Sequence, residues 1–141
     1  MTFKQESRFG SAVATTRRSK GLSQKELAEK LQVKQARVCA IERGRSVVTS
    51  NAAVGLIAGA LSCSDLERAA LLRAAVYDRL MREVRAEFGN DHQVEMLSIA
   101  IEAAQELGEQ QSRTVISRLK RLVQPAAEWN RMPFVEEVPI E

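Results

Sequence analysis

The residues best suited to chemistry in this 141-residue sequence lie between Arg18 and Arg45. Gln35 carries an amide that can pair in bidentate fashion with adenine, Arg37 a fork of donors that suits guanine, and Ala36 is small enough to touch a thymine methyl. Lys34, just before them, and Ala40, one helical turn later, complete a candidate base-reading set. Ser23 and Gln24 stand where a helix begins, and free amides and the helix dipole there favour a phosphate oxygen. Arg43 and Arg45 flank Gly44 and can clamp the same strand, and Arg18 adds a weaker, salt-sensitive phosphate contact. For Lys4, Arg8, Lys20, Lys25 and Lys30 a solvated surface charge is the favoured reading.

Other chemistry finds little support. Cys39 and Cys63 lack both C-x-x-C spacing and histidines in ligand positions, so they read as reduced, buried thiols and no metal or cofactor is expected. His92 is the only histidine. A nucleophile-base pair would have to rest on it alone, and a solvated histidine at a helix start is the plainer reading. No catalytic residue is expected, and the chain is not read as an enzyme.

The net charge of +3 conceals an asymmetry. Residues 1–64 hold eleven Lys/Arg against four Glu, net +7, whereas residues 65–141 hold ten against fourteen acids, net −4. Such a division suits a protein that meets phosphates at one end and protein at the other. No apolar run approaches the roughly 20 residues of a membrane helix, and the N-terminus has no apolar signal core, so a cytoplasmic protein is expected.

These side chains must be held by short helices. Phe9, Ala12, Val13 and Thr16 share one helical face, closed by Gly21. Ser23 and Glu26 form a capping box, opening a helix whose Leu27, Ala28 and Leu31 face inward. After Gln32-Val33-Lys34 the helical spacing resumes with Val38 and Ile41 and stops at Gly44, with Val33 also assigned to the core. Two short helices joined so tightly cross steeply, as in a helix-turn-helix. A fourth helix over 50–61 covers the core through Leu56, Ile57, Ala60 and Leu61. A second capping box, Ser64 to Glu67, opens a longer helix with a stripe of Leu66, Ala69, Ala70, Leu72, Val76, Leu80, Val84 and Phe88, closed at Gly89-Asn90. Further helix follows through Val94, Leu97, Ile101 and Ala104, then Val115, Leu119 and Leu122, as one helix or as two broken at Gly108. Pro125, Pro133 and Pro139 are expected to end it, leaving an extended acidic arm that carries Trp129, Met132, Phe134 and Val135.

The run from Gly21-Leu22-Ser23-Gln24 through Leu27-Ala28 to Val38, Ile41, Glu42 and Gly44 resembles the signature of the Xre family of lambda-repressor and Cro-like helix-turn-helix regulators. The resemblance spans residues 9–64. It implies that Lys34–Arg43 is the recognition helix, that Gln24 binds backbone and braces Gln35, and that Arg17 and Glu42 form a charged pair tying the first helix to the recognition helix. The sequence departs from the family at Gln32, where the turn usually has Gly, at Lys34, where a Ser or Thr usually caps, and at Cys39. A non-Gly residue in a left-handed turn costs about 1 kcal/mol.

The sequence therefore predicts an all-α protein with a lambda-repressor-like head over 1–64, a helical dimerisation region over 65–124 and an extended tail over 125–141. The expected function is a sequence-specific, homodimeric, autoregulating repressor on a palindromic operator in double-stranded DNA, of phage or mobile-element type. The same helices could instead pack on the head. The alternative function is an antitoxin or adaptor that binds a protein partner through residues 91–141. A remoter reading makes Cys39 a redox switch in the recognition helix.

Overall fold

A computed structural model describes residues 7–46, 48 and 50–131, with side chains through 125. The elements are α1 (Arg8–Ser19), α2 (Gln24–Leu31), α3 (Gln35–Glu42), α4 (Asn51–Ala60), α5 (Asp65–Glu87), α6 (Asp91–Glu106) and α7 (Glu109–Arg131). The fold is all-α, and no strand occurs among the described residues.

Serine starts four of these helices. The hydroxyls of Ser7, Ser23, Ser50 and Ser64 each accept from the amide three residues on. Glu26 and Glu67 reach back to the Ser23 and Ser64 amides, so both predicted capping boxes form. Each such cap contributes about 1 kcal/mol toward helices too short to persist alone. The same hydrogen bonds from Ser23 and Ser64 hold the Glu26 and Glu67 carboxyls below the usual range.

The chain divides into two compact units, residues 1–102 and 103–141. In the first, α1 packs on α3 and α5, α2 on α3 and α4, and α4 on α5. Phe9, Val13, Leu27, Val38, Ile41, Val54, Ile57 and Leu61 make one core, which Leu71 and Ala75 of α5 join. Two residues assigned to that core lie outside it. Val33 is 41% exposed because its amide is spent closing α2 onto the Ala28 carbonyl, which leaves its side chain on the outer side of the turn. Leu56 is 71% exposed, because Val54, Ile57, Ala58 and Leu61 already supply the face of α4 that meets the core.

The buried face of α5 also differs from the apolar stripe read in the sequence. Leu71, Ala75, Tyr77 and Met81 are buried, while Leu66 and Leu80 are exposed. Asp78 lies within the buried face, where its carboxylate accepts from the Ser7 hydroxyl at 2.7 Å and from the Arg8 and Phe9 amides at 3.0 Å each. Three donors at the start of α1 thus fix which way α5 turns, and a period count that treats Asp78 as solvated selects the opposite face.

α6 has no buried residue. In the second unit, Gly108 separates α7 from α6: the Leu107 amide still bonds Ala103, and the Gly108 carbonyl already accepts from Ser112. Two helices rather than one follow Asn90. Pro125 does not end α7, which continues to Arg131. Proline's φ is compatible with a helix, and its loss is confined to one backbone bond and a local clash. Trp129 is therefore on helical backbone, while the remainder of the expected arm, 132–141, and Lys4 lie outside the described residues.

Candidate nucleic-acid interface

The turn between α2 and α3 is built on Gln32, whose backbone is left-handed at φ 55°, ψ 42°. The Val33 amide donates to Ala28 at 3.0 Å and the Gln32 amide to Glu29 at 3.2 Å, which satisfies the last carbonyls of α2. A side chain stands where glycine would fit without strain, at the cost anticipated for the departure at this position. Lys34 occupies the N-cap of α3 with no side-chain cap bond. The amides at the start of α3 are consequently not answered by that side chain.

α3 is divided along its length. Val38 and Ile41 are buried, while Lys34, Gln35, Ala36 and Arg37 are all exposed and Ala40 is half-buried. Four of the five candidate base-reading residues, Lys34 to Arg37, thus share the solvent-facing start of α3, as a helix must if its first turn is to enter a groove, while Ala40 lies one turn further on. At the other end Gly44 is left-handed at φ 71°, and the Arg45 and Ser46 amides both donate to the Ala40 carbonyl. This closure leaves Arg43 and Arg45 exposed on either side of the glycine.

What holds α3 is a buried charged cluster. Arg17 of α1 donates to Glu42 through Nε at 2.6 Å and Nη2 at 3.1 Å, and its Nη1 donates to the Leu22 carbonyl at 2.8 Å. The Gln24 amide donates to the same Glu42 carboxylate at 2.9 Å. Burial disfavours charge on Glu42, but hydrogen bonds from Arg17 and Gln24 outweigh it and hold the carboxyl below its ordinary value. The hydrogen bond to Glu42 likewise raises Arg17 against the opposing effect of burial. The pair implied by the family resemblance is therefore present. Gln24, expected to brace Gln35, instead bonds Glu42.

Beside this cluster α1 touches α3 through Gly10. A Cβ there would lie 2.7 Å from the Glu42 carbonyl oxygen and would also meet that of Ile41, so only glycine allows the approach. The Ser23 amide is bonded to Glu26 at 2.6 Å and its hydroxyl oxygen accepts from the Glu26 amide at 3.1 Å, so neither of these bonds uses the hydroxyl proton. Arg18 is exposed. Lys20 pairs with Glu67 at 3.0 Å. Arg8, read as solvated, stacks 3.6 Å from the Tyr77 ring centroid and donates to Glu102 at 3.3 Å. Cys39 and Cys63 are free and half-buried, and burial pushes the Cys63 thiol up.

Sequence reasoning missed Gly10 and Asp78. Both carried a signal: a glycine inside a well-formed amphipathic helix, and a lone carboxylate flanked by Tyr77 and Met81 at helical spacing.

Residues 8–71 match the family model described as a helix-turn-helix domain. The match runs past residue 64 into α5, whose Leu71 belongs to the core. Comparison with curated proteins finds no match. Among solved structures the chain is similar to the clp gene regulator ClgR from C. glutamicum, at 30% identity over 50% of this chain and 86% of that one, with a TM-score of 0.43. The family match makes residues 8–71 a helix-turn-helix domain, a kind of unit that binds DNA.

Proposed function

We propose that the chain is a sequence-specific transcriptional regulator of the Xre type, acting as a homodimeric repressor on a palindromic operator that includes its own promoter. The observation that carries this reading is the division of α3, which buries Val38 and Ile41 and leaves Lys34, Gln35, Ala36 and Arg37 exposed at one end. Gln35 and Arg37 read base edges, with Ala36 and Ala40 against apolar base surface and Lys34 nearby. Ser23, Arg43, Arg45 and Arg18 bind phosphates. Gln24, being bonded to Glu42, serves α3 through that cluster and reaches the backbone from the same position.

One head covers only part of a site, and modules of this size reach high specificity by pairing over half-sites about one helical turn apart. Residues beyond the head are assigned that pairing. Phage or mobile-element origin is part of the proposal and rests on the resemblance of the motif. Residues 91–141 as a docking segment for an unrelated protein are the second reading, favoured by the exposed apolar residues of α6 and α7.

Selection of random duplex DNA by the purified protein, with binding repeated at two salt concentrations, tests the proposal. A palindrome with half-site centres about 34 Å apart is expected. Binding that falls with salt and enriches no sequence would reject it.

A further inference from the structure

The apolar residues of α6 and α7 are shared out in an unusual way. Met96 and Ile99 of α6 are 61% and 59% exposed, and Ile116, Leu119, Leu122 and Val123 of α7 are 46 to 74% exposed. Soluble helices that leave so contiguous an apolar face uncovered mark an interaction surface.

The charges beside these faces are of opposite sign. α6 carries Asp91, Glu95, Glu102 and Glu106 and no Lys or Arg. Their steps of four, seven and four residues return to one side of a helix, directly beside Ile99. Glu102 of this row is engaged by Arg8. α7 carries Arg113, Arg118, Lys120 and Arg121 before Pro125, against Glu109 alone. Arg113 pairs with Glu109 at 2.6 Å. By the same helical period Lys120 borders the apolar arc of α7 next to Ile116 and Val123, and Arg118 borders it next to Leu122. An acid-edged apolar face and a base-edged apolar face occur in one chain, and a basic face opposite another copy of itself would be repelled.

We propose that α6 of one copy docks on α7 of a second copy, and that the two reciprocal contacts form the dimer interface. This rests on the homodimer reading above and specifies how its contact is made. A stable interface needs about 800 Å² per partner. One short helical face falls short of that, whereas two contacts between helices of 16 and 23 residues can supply it.

Charge reversal separates this arrangement from others. One full-length variant carries Glu95→Arg and Glu106→Arg, a second carries Arg118→Glu and Lys120→Glu, and a third carries all four. Mass is read by light scattering after size exclusion, with helix content followed by circular dichroism. The wild-type chain is expected to be a dimer. Each two-site variant alone should dissociate about a hundredfold more readily at unchanged helix content, since like charges then face each other in both contacts. An equimolar mixture of the two should form a one-to-one heterodimer, because both contacts become complementary, and the four-site chain should regain the homodimer. If the α6 variant alone dimerises like wild type, or the mixture stays monomeric, the α6-to-α7 pairing is wrong although the homodimer reading survives. A four-site chain that regains stability as a monomer would place the contact within one chain. A monomeric wild-type protein would overturn the homodimer reading itself.

Discussion

Leucines in two parts of this chain meet opposite fates. Leu27, Leu61 and Leu71 are 1% exposed in the head, whereas Leu119 and Leu122 of α7 are 46% and 74% exposed. In the head, helices of 8 to 12 residues are too short to be stable alone and depend on capping, on the Arg17–Glu42 cluster and on a shared core. α6 and α7 have length and amphipathic pattern, but none of their described side chains is fully buried. A helix can therefore be specified by its local sequence while its apolar face is directed at something else. The head spends its hydrophobic residues on holding one surface still, and α6 and α7 present theirs.

The largest effect is expected at the charged cluster of the head. Glu42→Ala strands the buried Arg17 guanidinium and removes a partner of Gln24, and should cost about 3–5 kcal/mol in urea unfolding. Because the folded Glu42 carboxyl titrates below its unfolded value, its contribution is complete above about pH 4.3 and is lost as pH falls through the folded value. Glu42→Gln should flatten that acid limb of the stability curve. An unchanged acid limb would show that the cluster does not carry the pH dependence.

A paired substitution sharpens the contrast between the regions. Leu71→Ala should destabilise by about 2–5 kcal/mol at any protein concentration. Leu122→Ala should leave the unfolding of dilute monomer within about 0.5 kcal/mol of wild type. Equal losses for the two would erase the distinction. Asp78→Ala removes the acceptor of three donors at the start of α1 and should cost about 1–3 kcal/mol by the same unfolding measurement. The smallest effect is a gain: Gln32→Gly relieves the left-handed residue in the turn and should raise stability by at most about 1 kcal/mol, with DNA binding retained.

Much of the head was readable without coordinates because its signals are local. Capping boxes at Ser23 and Ser64, the stop at Gly44, the strained turn at Gln32 and the spacing of Leu27, Val38 and Ile41 all act within a few residues. The motif also pointed to the Arg17–Glu42 pair. What escaped depends on chain segments distant in sequence. Asp78 is half-buried and accepts from Ser7, Arg8 and Phe9, some 70 residues away, and no period of α5 contains that fact. Gly10 matters because of carbonyls in α3. Gln24 bonds Glu42, a partner that the motif did not indicate. Pro125 lies inside α7 rather than ending it, because a helix interior tolerates proline at a cost that other helical contacts can offset.

The central claim is that the exposed first turn of α3 reads bases. Its most direct test is the base preference of Gln35→Ala and Arg37→Ala, measured against wild type on a library of single-base operator variants. Each substitution should cost about 1–3 kcal/mol on the preferred site and abolish discrimination at one base pair per half-site, leaving the other positions ranked as before. Uniform weakening across all sequences, with every preference intact, would mean that these side chains bind only backbone and that base recognition lies elsewhere.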